Sequence, residues 1–283
     1  MRHDGPSLGQ APTSSGRQPR LAVFAFAATC VCVFIVNLPR WGAGPLLSPD
    51  SLWHSFVFTV LLMSILVTHE LGHLWVARLH RLRLSVPWFV PFPWLVGTMG
   101  AVIVPLDTPR DRSSLTEMAA GGPLAGAAVV VIALVGRAIA GVPVPESSVD
   151  LGVPLVWHAV NFASLGRLGA PSTADPVGFA CWIGCLVTAM NLLPFGQLDG
   201  GHLFSSLFPK YAKRATWAVT AGLIVMGAAW WGWLLWCVAL HLFGSREPMD
   251  VRNESAVPSA RARRLVWACW VVFVLFAMPI PIG

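Results

Sequence analysis

Long apolar runs alternate with short polar segments along the whole chain. Continuous apolar stretches cover residues 21–39, 52–79, 115–141, 177–193, 215–243 and 265–282. A helix needs about 20 apolar residues to cross a hydrocarbon layer roughly 30 Å thick. The pattern therefore predicts an all-α polytopic membrane protein with about six transmembrane helices. The fifth run contains Gly227 and Gly232, and at the standard rise it would reach roughly 43 Å, which suits one tilted helix or a tight hairpin, the single helix being the favoured reading.

Residues 80–114 break the pattern. Pro87, Pro91 and Pro93 forbid a helix there. Gly97-Thr98-Met99-Gly100 offers a turn ahead of the β-branched run Val102-Ile103-Val104. A small extended or hairpin element, re-entrant against the bundle, is expected after the second helix. Residues 142–175 read as a loop carrying one short amphipathic piece at 153–168.

Composition sharpens this picture. Only 11% of residues are charged and 55% are hydrophobic, whereas a soluble domain carries about 25% charged residues. The net charge of +6 does not point to nucleic acid, because the basic residues flank apolar runs as topology determinants do. Residues 1–20, rich in Ser, Pro, Gly and Arg, predict a disordered basic tail. The chain then divides into that tail, a first transmembrane segment and loop at 21–51, a core at 52–214 and C-terminal transmembrane segments at 215–283.

Arginine and lysine set the orientation. Arg2, Arg17 and Arg20 precede the first run, Arg78, Arg81, Arg83, Arg110 and Arg112 follow the second, and Lys210, Lys213 and Arg214 follow the fourth. All three groups fall on one side, which makes the N-terminus cytoplasmic. A bacterial inner membrane is the expected location. Residues 245–264 carry five more arginines against three acids, on what a simple six-span count makes the wrong side. The six cysteines all lie in apolar runs without a CxxC pair, so they predict neither a metal site nor redox chemistry.

The polar residues that interrupt the second run carry the chemistry. Val67-Thr68-His69-Glu70-Leu71-Gly72-His73 contains His-Glu-x-x-His. A spacing of four puts both imidazoles on one helix face, where each can give a ring nitrogen to one metal ion. Glu70 is offset by about 100° and reaches a water rather than the metal. Ionisable groups at membrane depth cost roughly 2.5–3.5 kcal/mol on insertion scales, and such residues usually mark function. A catalytic zinc site needs a third protein ligand. Glu117, Asp175 and Asp199 are the acids near apolar segments that could supply it. Asp199 follows a helix broken by Pro194 and Gly196, and Gly200 and Gly201 allow close backbone approach.

The helix motif, together with Asn191-Leu192-Leu193-Pro194 and Leu198-Asp199-Gly200-Gly201, resembles the site-2 protease family of intramembrane zinc metallopeptidases. Gly97 to Ala101 and Ala120 to Gly126 resemble its bacterial and plastid branch, which lacks a PDZ domain. The likeness covers roughly residues 55–210. It implies that His69, His73 and Asp199 bind one Zn2+ per chain, that Glu70 is the catalytic base, and that Asn191 positions substrate. It further implies transmembrane protein substrates in a lipid bilayer. Two departures stand out: Gln197 replaces a second proline found in several members, and Glu117 stands where many have aspartate. The competing readings are a prenyl-protein peptidase with Glu117 as third ligand, and a metal-binding transporter or channel.

Overall fold

The computed structural model describes residues 17–41, 45–141, 149–166, 169–244, 247 and 249–283. Helices dominate: α1 (Arg17–Asn37), α2 (Pro49–Leu79), α3 (Arg112–Ile139), α4 (Leu155–Leu165), α5 (Pro176–Asn191), α6 (Asp199–Leu207), α7 (Ala212–Met226), α8 (Gly232–Phe243) and α9 (Ala260–Phe276). Strands β1 (Trp88–Pro91) and β2 (Thr98–Val102) form an antiparallel hairpin between α2 and α3. The helical architecture and the hairpin stand as the sequence predicts. Helix α1 begins at Arg17, inside the segment expected to be a tail, and residues 1–16 of that tail lie outside the described residues.

Among the described residues three helices are long and apolar enough to cross a membrane, at Pro19–Arg40, Pro49–Leu79 and Arg112–Ile139, fewer than the six expected. The fifth apolar run accounts for part of the difference. It is two helices, α7 and α8, folded against each other, and not the single tilted helix that its length suggests. The break falls at 227–231, where Gly227 has Leu234 against its α-carbon and leaves no room for a side chain. At 15 and 12 residues the two helices reach about 22 and 18 Å, well short of the hydrocarbon layer. Helix α5, at 16 residues, also falls below the length of those three, and its apolar side chains are packed inside the protein. Phe179, Ala180, Cys181, Trp182 and Cys185 are all buried against other helices. Apolarity in sequence does not distinguish a lipid face from a protein interior.

The core lies where α2, α3 and α5 meet. Phe58 stacks on Phe179 with centroids 5.5 Å apart, and Phe179 on Trp182 at 5.9 Å. Each such pair contributes about 0.5–1.5 kcal/mol beyond its buried area. Further along the α2–α3 contact the backbones touch. A Cβ on Gly72 would overlap the Gly121 carbonyl, and one on Gly121 would overlap the Gly72 carbonyl. Small residues permit this approach in membrane helix pairs, and it brings the next residues of α3 onto the histidine face of α2.

Local chemistry fixes where these helices start. Ser48 accepts from Ser51 N at 3.1 Å ahead of α2, with Pro49 in the first turn. Asp111 and Ser114 form a capping box at the start of α3, worth about 1 kcal/mol.

The hairpin lies along α1. Phe89 packs edge-on against Phe26 at 5.1 Å, and Asn37 Nδ2 donates to Val96 O at 3.1 Å near the tip. The reversal differs from the expected one. Thr98, Met99 and Gly100 belong to β2, and the chain turns at 92–97 instead. Gly97 has φ 93° and sits on the backbone of Val33. It is therefore the glycine that lets the tip touch α1, while also supplying a backbone conformation that L side chains avoid.

Two of the basic segments meet, at 83–110 and 252–253. Arg83 Nε and Nη2 donate to Asp107 at 3.0 and 2.9 Å. Those hydrogen bonds hold the Asp107 carboxyl down to about 2. Arg252 N donates to Pro109 O and Asn253 N to Arg110 O, each at 3.0 Å. The segment beginning at Met249 thus returns to the loop that joins β2 to α3. The α7–α8 turn precedes this return in the chain.

Candidate metal centre

Helix α2 carries His69 and His73 one turn apart, facing α3. Asp199 is the first residue of α6, reached by the tight turn that follows α5. Close packing builds that turn: a Cβ on Gly200 would overlap Leu192 O, and one on Gly201 would overlap Gly196 O. Gly196 itself has φ 46°. The expected use of these glycines, close backbone approach beside the aspartate, is what the fold shows.

The three side chains converge. His69 Nε2 lies 3.3 Å from Asp199 Oδ2, His73 Nε2 lies 3.4 Å from Asp199 Oδ1, and the two Nε2 atoms are 3.2 Å apart. These are the three residues whose donor atoms group closely enough to hold a metal among the described residues. Ligands about 2.0–2.1 Å from a tetrahedral zinc stand about 3.3 Å from one another, so the spacing fits the ion.

The proton inventory points the same way. His73 Nδ1 lies 2.9 Å from Met118 O, and a carbonyl only accepts, so Nδ1 carries the hydrogen. In the neutral ring Nε2 is then a lone pair, and it faces a carboxylate oxygen and a second imidazole nitrogen. A cation held among these atoms would satisfy the His73 lone pair and the Asp199 carboxylate together. The Nδ1 contact is also the usual outer-shell support of a ligating histidine, fixing tautomer and ring plane.

Room for the ring comes from α3. A Cβ on Gly122 would overlap His73 Nε2, and one on Gly126 would crowd His69 Cβ. The two glycines stand four residues apart on one face of α3, and that face clears space for the ligands. Gly122→Ala is accordingly expected to lower zinc affinity by about 10–100-fold, the range for disturbed outer-shell support. Competitive chelator titration of the purified protein measures it. Unaltered affinity would show that His73 need not occupy this position.

The remaining candidates separate cleanly. Glu70 is half-buried and Asn191 ends α5, and both line the cavity of about 350 Å³ that the three converging side chains also line. Glu117 is not with the histidines of the motif. It accepts from His80 Nε2 at 3.2 Å and pairs with Arg261 Nε at 3.5 Å. Asp175 pairs with Arg137 at the far end of α3, both buried. Of the three acids considered as third ligand, Asp199 alone reaches the site. His202 also lines the cavity and is buried. Sequence reasoning assigned it nothing, although its place three residues after Asp199 put it on the same helix face.

A helix-borne His-Glu-x-x-His pair closed by a distant aspartate, inside a bundle with membrane-length helices, defines a membrane metallopeptidase type of site. The chain belongs to peptidase family M50, the site-2 protease family, whose model matches residues 57–230. Among curated proteins it is similar to the "Probable zinc metalloprotease EGY2, chloroplastic" of Arabidopsis thaliana, 31% identical over 231 residues. That match covers 77% of this chain and 40% of the relative. The protein of the same name from Oryza sativa subsp. indica is 29% identical over 203 residues, covering 68% of this chain and 36% of the relative. The "Probable zinc metalloprotease EGY1, chloroplastic" of Arabidopsis thaliana is 35% identical over 162 residues, covering 53% and 29%. The chain thus spans about two-fifths or less of the length of these relatives. No solved structure matches it. The relatives are described as chloroplastic, so the expectation of a bacterial inner membrane gains no support from them.

Proposed function

We propose that the chain is an intramembrane zinc metalloprotease that hydrolyses peptide bonds within or near transmembrane segments of membrane-protein substrates. The observation that carries this reading is the convergence of His69, His73 and Asp199 at donor spacings of 3.2–3.4 Å beside Glu70. His69, His73 and Asp199 would hold one zinc ion per chain. When bound, the ion supplies Lewis acidity and a water whose pKa is lowered towards about 7. Glu70 takes the proton of the attacking water and delivers it to the leaving amine. Asn191, across the cavity, donates a hydrogen bond to the substrate carbonyl and so orients it. Cleavage of a single-span substrate by the native chain, set against Glu70→Gln, tests the assignment. No observation favours a metal transporter or channel.

The charge distribution supports a topology with α1, α2, α3, α5 and α9 embedded and α7–α8 dipping in from the basic end. The catalytic core is then 52–214, and the N-terminus shares the side of the basic loops. In this arrangement the arginines and lysines at 78–112, 210–214 and 252–264 all face one compartment. The pairing of Gly152 N with Pro281 O at 2.8 Å agrees with it, joining the end of the chain to the loop beyond α3.

A transmembrane helix offers no free amide to attack, because its backbone is internally hydrogen-bonded. The substrate must unwind. Strand β2 pairs with β1 on one side only among the described residues, and Ala101, Val102 and Ile103 line the cavity. An unwound segment can therefore add to β2 as a strand and lie across the donors. Ala101→Pro or Ile103→Pro should lower the cleavage rate while zinc content stays at the native level. Native turnover in both variants would exclude strand addition.

A further inference from the structure

We propose that His202 is a further catalytic residue, hydrogen-bonding the substrate carbonyl oxygen as it gains negative charge. The inference rests on the proposed protease reading and adds to it a donor that neither the family motif nor the ligand set requires.

Four observations support it. His202 lies three residues after Asp199 on α6, so its side chain shares the helix face that presents the carboxylate. It lines the same cavity as His69, Glu70 and Asn191. Its residue surface is 7% exposed, so the ring is almost wholly removed from bulk water. Finally, Nδ1 is enclosed and has no hydrogen-bond partner.

A neutral imidazole has one N–H and one lone pair. An enclosed, unpartnered N–H is rarer and costlier in folded proteins than an under-used acceptor, so the hydrogen belongs on Nε2. The ring then offers a single Nε2–H donor in a cavity that the Asn191 and Gln197 amides also line. A neutral donor preorganised in a water-poor site stabilises an oxyanion more than it stabilises the parent carbonyl. Asn191 and His202 would approach the oxygen from α5 and α6, the two helices joined by the turn that carries Asp199.

The backbone carbonyl of Gln197 accepts a hydrogen bond from the ring, which a substrate oxygen would have to replace or share. If the ring did nothing except steady that carbonyl, replacing it would shift the Asp199 turn and release zinc. The two roles therefore differ in readout.

The test uses the full chain in nanodiscs with a fluorogenic single-span peptide whose apolar segment contains a Gly-Pro break. His202→Phe keeps the ring volume without a donor, and His202→Gln returns an N–H near the Nε2 position. We expect His202→Phe to bind one zinc per chain and to lose about 10²–10³-fold in kcat with little change in KM, the size of a lost oxyanion donor. His202→Gln should recover a substantial part of that loss. Native kcat in His202→Phe, or zinc loss in both variants, would overturn the proposal. So would a kcat for His202→Gln no better than that of His202→Phe. If the native chain itself fails to cleave while Glu70→Gln and native behave alike, the protease reading fails instead.

Discussion

Glu70→Gln should abolish most proteolysis while leaving zinc in place. Gln preserves size and can still hydrogen-bond a water, but it cannot take up the proton that makes the water a nucleophile. General-base catalysis contributes about 10²–10⁴-fold, and the rate should fall by that factor. Zinc content should not change, because the three converging donors come from His69, His73 and Asp199. Glu70 follows His69 on α2 and borders the cavity without belonging to that group. Single-turnover cleavage of a reconstituted single-span substrate, paired with elemental zinc analysis, reads both quantities on one sample. Activity equal to the native chain would remove Glu70 from the mechanism.

Asp199→Ala should have an equally large effect, through the metal. Outer-shell substitutions already cost about 10–100-fold in metal affinity, and loss of a direct ligand should exceed that. Two imidazoles at 3.2 Å then remain without the carboxylate that neutralises half of the ion's charge. The variant should therefore be inactive because it is empty, in contrast to Glu70→Gln, which should be inactive while loaded. The pair of variants separates binding from chemistry.

Much of this site was legible in the chain. His-Glu-x-x-His inside an apolar run fixes two donors to one helix face through the 3.6-residue period alone. The third donor was not derivable that way, since spacing left Glu117, Asp175 and Asp199 open. The structure separates them by partner: Glu117 is engaged by His80 and Arg261, and Asp175 by Arg137. The duties of Gly122 and Met118 carried no signal in the chain, because room for a ring and a carbonyl's direction are properties of two helices together. His202 carried no motif signal of its own beyond its distance from Asp199.

The fold was legible to a similar depth. Proline placement excluded a helix at 87–93 and led to the hairpin, but the turn was set one step too late. What decides it is the contact of Gly97 with Val33, a pairing between distant segments. The fifth apolar run misled through length alone. Its arginine-rich sequel was the stronger clue, because charge on one side constrains the number of crossings more tightly than hydropathy does.

The central claim is that His69, His73 and Asp199 hold a single divalent ion. Zinc stoichiometry of the purified native chain and of Asp199→Ala, after dialysis against a weak chelator, tests it most directly. The expected result is one zinc per native chain and none in the variant, with the helical signal of both intact. Retention of one tightly held zinc by Asp199→Ala would contradict it.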